Sequence, residues 1–482
     1  MENKRFGKGR ETLLLSELLK DWPCTILQGS IRRAIDGITE SSKRVKKNYV
    51  FVAKKGVMTD GMTFIEEAIS NGANTLVIDR ENIDLTRIPA NITIVLIPDS
   101  SLFISYGSAK FSDNPAEELR IIGITGTNGK TTVSHFIGQL LKELGHKTAV
   151  IGTTGLYIDG KLTEPIRNSM TTMPAEQLHP ILRRCIKQQV THIVLEASSI
   201  GLFKNRLAHC PLTVGVFLNI GMDHYVEHGG RQPYIDAKKL LIPLADQLVI
   251  NEDDETCRAI GEELSKPPIY FSSRHINGKP QQKVLLANLG HHNEMNARAA
   301  IGALMALGYS LRVIKPHLHA LRLPTGRLEK YEEAGIEVYV DYAHTPDALQ
   351  AVLEALSESS KRLITVFGCG GERDRDKRPQ MGAVAAHYSS HVILTSDNPR
   401  TEDPSQIIVD ILGGMVGFTT PIEIFIDRHQ AIQYAVTQAQ PGEIVLIAGK
   451  GHEQIQQIEH QTIHFCDMEE VKKTFSRRNT KK

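Results

Sequence analysis

Residues 119–133 constrain this chain more than any other stretch. An apolar run, LRIIGI at 119–124, has the character of a buried strand. It stops at GTNGKT, where Gly126, Thr127, Asn128, Gly129, Lys130 and Thr131 follow one another. A helical pattern of apolar residues begins at Val133. Glycines between a strand and a helix let the backbone wrap a phosphate, with the helix's first amides pointing at it. Lys130 supplies a point charge for the β- and γ-phosphates, and Thr131 a hydroxyl for Mg²⁺. The longer phosphate-loop pattern wants glycine where Ile124 stands, so the usable motif is the shorter G-x-x-G-K-T. The stretch reads as a nucleotide-phosphate loop, and therefore as part of a parallel α/β sheet.

The rest of the chain supports that class. At 482 residues it exceeds one hydrophobic core and suggests about three domains of ~150 residues. Residues 1–115 read as an α/β unit, with strands at 48–53 and 74–79 around a helix at 60–69. A polar, proline-containing segment at 111–118 has the composition of a linker. Residues 116–325 alternate strand and helix, as a parallel sheet with crossover helices does. In residues 326–482 three apolar strands each open into a charged glycine or proline loop: 364–367 into 368–374, 392–395 into 396–400, and 444–448 into 449–453. Ligands of such sheets collect beyond the carboxyl ends of the strands. If these strands are parallel neighbours, the three loops face one ligand.

Composition narrows the function classes. A net charge of +1 provides no whole-molecule field for nucleic acid, so any anion must be held locally. The six cysteines have no C-x-x-C or zinc spacing, which suits reduced thiols in a cytoplasmic protein. No stretch approaches ~20 apolar residues, so no membrane span is expected. A short amphipathic helix at 12–19 is too charged for a signal peptide. The basic stretch 472–482 reads as a solvated end.

A phosphate loop alone does not choose between a GTPase, a kinase, a motor and a ligase. The guanine-reading N-K-x-D is absent, which disfavours the first. Glu196 and His224, each after a strand, suit either a cation beside Thr131 or an N-cap and an ordinary loop histidine. Lys238, taken alone, reads as a solvated helix lysine.

Taken together, GITGTNGKTT (123–132), EASS (196–199), DH (223–224), AK (237–238), DYAHTPD (341–347), DNPR (397–400) and GKGHE (449–453) resemble, in this order, the Mur ligases. The resemblance spans about residues 40–470 and is strongest to the type that adds the third residue of the peptidoglycan stem peptide. It implies three domains: 1–115 binding a UDP-sugar, 116–325 a central P-loop ATPase-type ligase domain, and 326–482 a Rossmann-like amino-acid domain. It also implies amide-bond synthesis from ATP, UDP-N-acetylmuramoyl-L-alanyl-D-glutamate and meso-diaminopimelate, through an acyl phosphate, by a cytoplasmic monomer. Two Mg²⁺ ions are implied, with Thr131 and Glu196 at one and His224 at the other. Lys238 matches the family's carbamylated lysine (N6-carboxylysine), whose CO₂-derived carbamate supports the second ion. Lys130, Glu196, His224 and Lys238 then carry the chemistry. ATP would meet 126–132 (Thr132 included), Asn293, Arg327, Asp341 and His344. The muramyl nucleotide would meet Ser41, Ser42, Thr171, Thr172, Ser198, Ser199 and Arg206. Arg373, Asp397, Asn398, Pro399, Arg400, Gly449 and Glu453 would form the amino-acid pocket, with Arg400 on the distal carboxylate that lysine lacks.

Departures from the family pattern cluster on the muramyl side. Ser41, Ser42 and Lys43 stand where Asp-Ser-Arg is usual, Met62 and Ile200 where histidine is common, and Met173 interrupts Thr-Thr-Pro-Asp. Two alternatives follow: a sister ligase with a modified UDP-linked acceptor or with L-lysine, and a non-catalytic nucleotide-binding regulator. The intact Lys130, Glu196, His224 and Lys238 argue against the second.

Overall fold

The computed structural model describes residues 12–56, 59–81, 83–165, 170–280, 290–358 and 362–479. The chain forms two compact units. The first comprises 1–123, 145–215 and 240–247; the second comprises 124–144, 216–239 and 248–482.

In the first unit a five-stranded sheet runs Thr25–Gln28, Thr93–Leu96, Ala73–Ile78, Tyr49–Ala53, Gly37–Thr39. All neighbours are parallel except the edge strand Thr25–Gln28. The inner strand Tyr49–Ala53 buries Val50, Phe51, Val52 and Ala53 completely, which is why it reads as a continuous apolar run rather than an alternating one. The helix expected at 60–69 begins as a 3₁₀ turn, Gly61–Phe64, and becomes α-helical at Ile65–Ser70. Asp60 sets this start: its carboxylate accepts the Met62 amide at 2.9 Å and is gripped by both Nη atoms of Arg80.

The same unit holds Thr148–Gly152 in parallel with His192–Glu196, flanked by the hairpin Gly155–Ile158 and Lys161–Glu164. The polar segment at 111–118 is tied down. Arg183, on the helix Ala175–Lys187, donates to the Ser112 and Asp113 carbonyls and pairs with Glu118.

In the second unit a six-stranded sheet runs Glu329–Glu333, Ile336–Asp341, Ile444–Ala448, Leu363–Phe367, His391–Thr395, Ile422–Phe425. Only the first strand is antiparallel. The three loop-bearing strands are therefore adjacent and parallel, as their loops required. Alternation sends Phe367, Leu394 and Leu446 into one core with Leu349 and Leu353, and Val366, Ile393 and Val445 into another with Ile432 and Val471. Helices cover both faces, the doubly wound arrangement. The helices Lys130–Glu143 and Gly290–Ala306 pack on each other in this unit.

Both chain ends depart from expectation. Residues 1–11 and 480–482 lie outside the described residues. The helix expected at 12–19 is a two-residue strand, Leu13–Leu14, on Ala34–Ile35, followed by the helix Leu15–Leu19. Residues 472–479 of the basic stretch lie in the helix Asp467–Asn479, docked through Val471, Thr474 and Phe475. Its lysines at 472 and 473 are exposed, yet its apolar spacing provides a stripe that packs under Tyr331. All six cysteines are free thiols. Among the described residues no helix is long and apolar enough to cross a membrane.

Candidate active site

The phosphate loop follows the strand Arg120–Thr125 and runs into the helix Lys130–Glu143. Gly129 sits at φ +88°, and a Cβ there would lie 2.5 Å from Asn296 Oδ1, so only glycine fits. Asn219 holds the loop open from the next strand end. Its backbone carbonyl accepts the Thr127 amide at 2.9 Å, its side-chain carbonyl accepts the Asn128 amide at 2.8 Å, and its amide donates to the Asn128 carbonyl at 3.2 Å. Thr127 Oγ1 accepts the Gly221 amide at 2.9 Å and lies 2.8 Å from the Tyr234 hydroxyl. Lys130 folds back, donating to the carbonyls of Gly126 (2.7 Å) and Thr127 (2.9 Å). Thr132 and Asn293 are buried beside this loop and on the helix Gly290–Ala306 respectively, and Asn293 Oδ1 accepts from Asn296.

The segment 326–345 meets this loop within the same unit. The Arg327 guanidinium stacks 4.5 Å from the Tyr342 ring centroid, and its Nη2 donates to Thr131 Oγ1 at 3.3 Å. Thr345 donates to Asn128 Oδ1 at 3.2 Å. Asp341 accepts the amides of Leu328 (2.7 Å) and Ala343 (2.8 Å). Burial raises its pKa against the pull of Arg327 and those donors. Burial, with Lys377 nearby, drops His344 to about 4. The His344 ring is therefore neutral, with Nδ1–H donating to the Tyr342 carbonyl at 2.8 Å.

His224 adopts φ +56° at the start of the one-turn helix Tyr225–His228. Its Nε2 lies 3.3 Å from Asp223 Oδ2, and its Nδ1 lies 3.0 Å from Glu227 Oε1. Lys238, on the helix Arg231–Lys239, is 1% exposed, which overturns its reading as a solvated lysine. Its Nζ lies 4.6 Å from the Tyr234 ring centroid. Burial first, then the charge of Lys130, hold its pKa well below the ordinary lysine value. A neutral amine is the form that adds CO₂.

The three strand-end loops converge. Asn398 Nδ2 donates to Glu453 Oε2 at 2.9 Å, while its Oδ1 accepts from Lys450 Nζ at 3.0 Å and the Gln457 amide at 3.0 Å. Lys450, wholly buried, also reaches Glu453 at 2.8 Å. A Cβ on Gly449 would lie 2.5 Å from Asp397 Oδ2. Pro399 turns the chain so that its carbonyl accepts the Glu402 amide at 3.1 Å. Arg400, at φ +53°, donates from Nη1 to the Gly371 carbonyl at 2.6 Å. Its backbone amide and carbonyl are clamped by Gln457 (3.1 Å) and Glu459 (2.6 Å) of the adjoining hairpin. Arg373 pairs with Glu227 at 2.7 Å.

A second group lies in the other unit. Glu196, 2% exposed, ends the strand His192–Glu196. Its carboxylate accepts the Thr153 amide at 3.0 Å and hydroxyl at 2.9 Å, and the latter oxygen is also 3.2 Å from Thr171 Oγ1. Thr172 donates to the Glu196 carbonyl at 2.8 Å and accepts the Ser198 amide at 2.8 Å. Ser198 caps the helix Ser199–Phe203, and Arg206 donates to the Thr172 carbonyl at 2.5 Å. Ser41 and Ser42 enter a 3₁₀ turn, Ser42–Arg44, held by Asn71 on the Ser42 carbonyl at 3.0 Å. Among the described residues no hydrogen bond joins Ser41 or Ser42 to the group around Glu196.

Sequence reasoning missed Thr153, Asn219, Asp374, Lys377 and Lys450 as members of these networks. Lys377 is 4% exposed and faces Asp223 at 3.6 Å. A lysine in a sequence reads as solvated; the usable signal was position for Thr153, Asn219 and Lys450, each one or two residues past a strand end, whereas Lys377 opens the helix Lys377–Tyr388.

Comparison with known proteins bears on this geometry. The "Mur ligase family, catalytic domain" matches residues 34–122, the "Mur ligase middle domain" 124–304, and the "Mur ligase, glutamate ligase domain" 326–451. A UDP-N-acetylmuramoyl-L-alanyl-D-glutamate--2,6-diaminopimelate ligase 2 of Clostridium acetobutylicum is 36% identical over 95% of this chain and 99% of its own. The corresponding ligase of Clostridium tetani is 35% identical over 95% and 98%. A solved structure of a 2,6-diaminopimelate ligase of this name superposes with TM-score 0.62 at 32% identity, covering 97% and 99% of the two chains. The MurF ligase of Thermotoga maritima in complex with ADP, at 19% identity over 92% and 98%, shares the fold with TM-score 0.62. With three domain descriptions matched in order and relatives this similar over nearly its whole length, the chain belongs to the Mur ligase family.

Proposed function

We propose that this chain is an ATP-dependent amide-bond ligase of peptidoglycan precursor synthesis that adds meso-diaminopimelate to UDP-N-acetylmuramoyl-L-alanyl-D-glutamate. The observation that carries the reading is the convergence of the 368–374, 396–400 and 449–453 loops around a half-buried arginine, Arg400, beside the carboxylates of Asp397 and Glu453. A fork donor next to acceptors suits an amino-acid end, with its carboxylate and ammonium. The domains are 1–115 for the UDP-sugar, 116–325 for ATP, and 326–482 for the amino acid. The protein works as a cytoplasmic monomer.

The D-glutamyl γ-carboxylate attacks the γ-phosphorus of ATP, and ADP leaves. The diaminopimelate amine then attacks the acyl carbon, loses a proton, and phosphate departs. Carboxylate and triphosphate repel, so the first step needs positive charge and fixed in-line geometry. Lys130 exchanges its two carbonyl partners for phosphate oxygens, and the amides of 127–131 cradle them. Arg327 reaches the phosphates from beside Thr131, Asn293 meets the adenine, and Asp341 and His344 shape the same side. Thr171, Thr172, Ser198, Ser199 and Arg206 hold the muramyl dipeptide, with Ser41 and Ser42 at the uridine.

The donor chemistry suits Mg²⁺ residue by residue, while among the described residues no three His, Cys, Asp or Glu side chains gather as a metal site. Thr131 and Glu196 offer hard oxygens, and His224 turns a ring nitrogen toward the Asp223 carboxylate. Few protein ligands are needed where phosphate oxygens supply the rest. When bound, two such ions neutralise phosphate charge. Carbamylated, Lys238 would exchange a buried amine of lowered pKa for a carboxylate able to support the second ion.

A second reading has its own support. Ser41, Lys43, Met62, Met173 and Ile200 all depart from the family pattern on the muramyl side, which favours a modified UDP-linked acceptor. One assay tests both readings: purified chain with ATP, Mg²⁺, the UDP-muramyl dipeptide, and meso-diaminopimelate, L-lysine or no amine, read by phosphate release and product mass. A new amide with diaminopimelate is expected. Phosphate without amide product sinks the ligase reading, lysine preference sinks the pocket assignment, and ordinary turnover at micromolar dipeptide sinks the modified acceptor.

A further inference from the structure

His224 occupies the left-handed region at φ +56°, a conformation disfavoured for a residue with a Cβ and in need of support from outside the segment. The helix it begins, Tyr225–His228, is four residues long. A single turn is not self-sustaining, and its leading amides have no partners within it. Both are taken by one carboxylate from a distant part of the chain. Asp374 Oδ2 accepts the Tyr225 amide at 3.1 Å, and its Oδ1 accepts the Val226 amide at 3.0 Å.

The contact continues on either side. Arg373 Nη1 pairs with Glu227 Oε1 at 2.7 Å, and that oxygen also lies 3.0 Å from His224 Nδ1. Lys377 Nζ faces Asp223 Oδ1 at 3.6 Å. Cation, anion and cation on 373–377 thus meet anion, amides and anion on 223–227. Asp374 is 5% exposed, so its two charge-assisted bonds lie away from bulk water.

The gripping segment is also the floor of the amino-acid pocket. The Gly371 carbonyl accepts Arg400 Nη1 at 2.6 Å, the Gly371 amide donates to the Asn398 carbonyl at 2.9 Å, and the Glu372 amide donates to Glu402 at 3.0 Å. The loop 397–400 is therefore tied by direct hydrogen bonds to the segment whose next residues hold His224.

We propose that Asp374 is a positioning residue: it docks the amino-acid loop onto the turn bearing His224, so that occupancy of the amine pocket sets the geometry of that turn. This rests on the diaminopimelate-ligase reading for the identity of the pocket's ligand, though the clamp itself does not depend on it.

Hydrogen exchange read by mass spectrometry on peptides covering 221–230 and 130–143 tests the clamp. In Asp374→Ala the amides of Tyr225 and Val226 should exchange at least tenfold faster than in wild type, with 130–143 unchanged. Added meso-diaminopimelate should slow exchange at 224–228 in wild type and not in Asp374→Ala. In turnover, kcat should fall at least tenfold while KM for ATP stays within twofold. Unchanged exchange at 225 and 226, or a diaminopimelate effect that survives in Asp374→Ala, overturns the proposal. If Asp374→Ala does not fold, Asp374→Asn, which keeps the shape and loses the charge, is compared in its place; exchange at 225 and 226 equal to wild type then overturns it. A wild type that makes no amide product removes the ligase reading, whereas the exchange comparison without substrate still decides whether Asp374 holds the turn.

Discussion

Arg400→Met isolates the charge on which amine selectivity is argued. Methionine keeps an unbranched stem and meets the same backbone cost at φ +53° as arginine, so the guanidinium is the main thing removed. In the folded chain one nitrogen of that group is committed to the Gly371 carbonyl at 2.6 Å, and burial together with Arg373 disfavours its charge. A carboxylate arriving at the remaining edge would relieve both. Removing one member of a fully buried charge pair costs ~3–5 kcal/mol; at this half-buried arginine about 2–4 kcal/mol remains, and at 1.4 kcal/mol per decade that is a loss of roughly 30- to 700-fold in kcat/KM for meso-diaminopimelate. L-lysine has no distal carboxylate to strand, so its slow use should be unaffected or improved. Initial rates of phosphate release, with each amine varied at saturating ATP, read both numbers. A diaminopimelate loss below tenfold, or an equal loss for lysine, would refute the argument, since either outcome means that Arg400 does not face the distal carboxylate.

Gly129→Ala should abolish measurable ADP binding by calorimetry, because the added Cβ meets Asn296 Oδ1 at 2.5 Å on a backbone at φ +88°; a dissociation constant within threefold of wild type would contradict this. His179 is buried without a hydrogen-bond partner on either ring nitrogen among the described residues, and burial, with His209 close by, lowers it to about 4. Its neutral form is the one that folds, so its contribution is fully present above pH ~6.5 and is lost as pH falls toward 4, up to ~3 kcal/mol in all. His179→Leu should flatten the urea midpoint between those pH values, and an unchanged slope would exclude His179 as the source. Arg428→Met strands Asp467, both side chains being 0% exposed and joined at 2.7 Å, and should lower stability by ~3–5 kcal/mol. The double variant Arg428→Met, Asp467→Leu should recover most of the loss in the same denaturation assay.

How far the sequence reached depended on whether a property was local. The strand at 119–124, the glycine turn and the following helix were readable because glycine at a left-handed position, an apolar run and an immediate helical period are each written in adjacent residues. The three loop-bearing strands were readable for the same reason, and their adjacency was a conditional that the parallel order of the sheet then met. Where chain direction depended on distant partners, the reading slipped. The chain's first helix is shortened by pairing of Leu13–Leu14 with Ala34–Ile35. The basic stretch near the other end docks because Val471 and Phe475 find the face of a sheet whose buried residues run from Ile336 to Ile447.

Residue order alone was enough to place this chain in an α/β class with a phosphate loop and the Mur ligase residues in sequence, because patterns of period and turn chemistry need no partner to be recognised. The state of individual groups came from the folded chain. It buried Lys238 against Tyr234, where desolvation and the charge of Lys130 hold its pKa well below the ordinary lysine value. It put Lys450 between Asn398 and Glu453, and it set Asp374 on the amides beside His224. Burial and pairing are set by what a fold brings within a few ångströms, and residues 374 and 225 stand 149 positions apart. No local rule of spacing could have joined them.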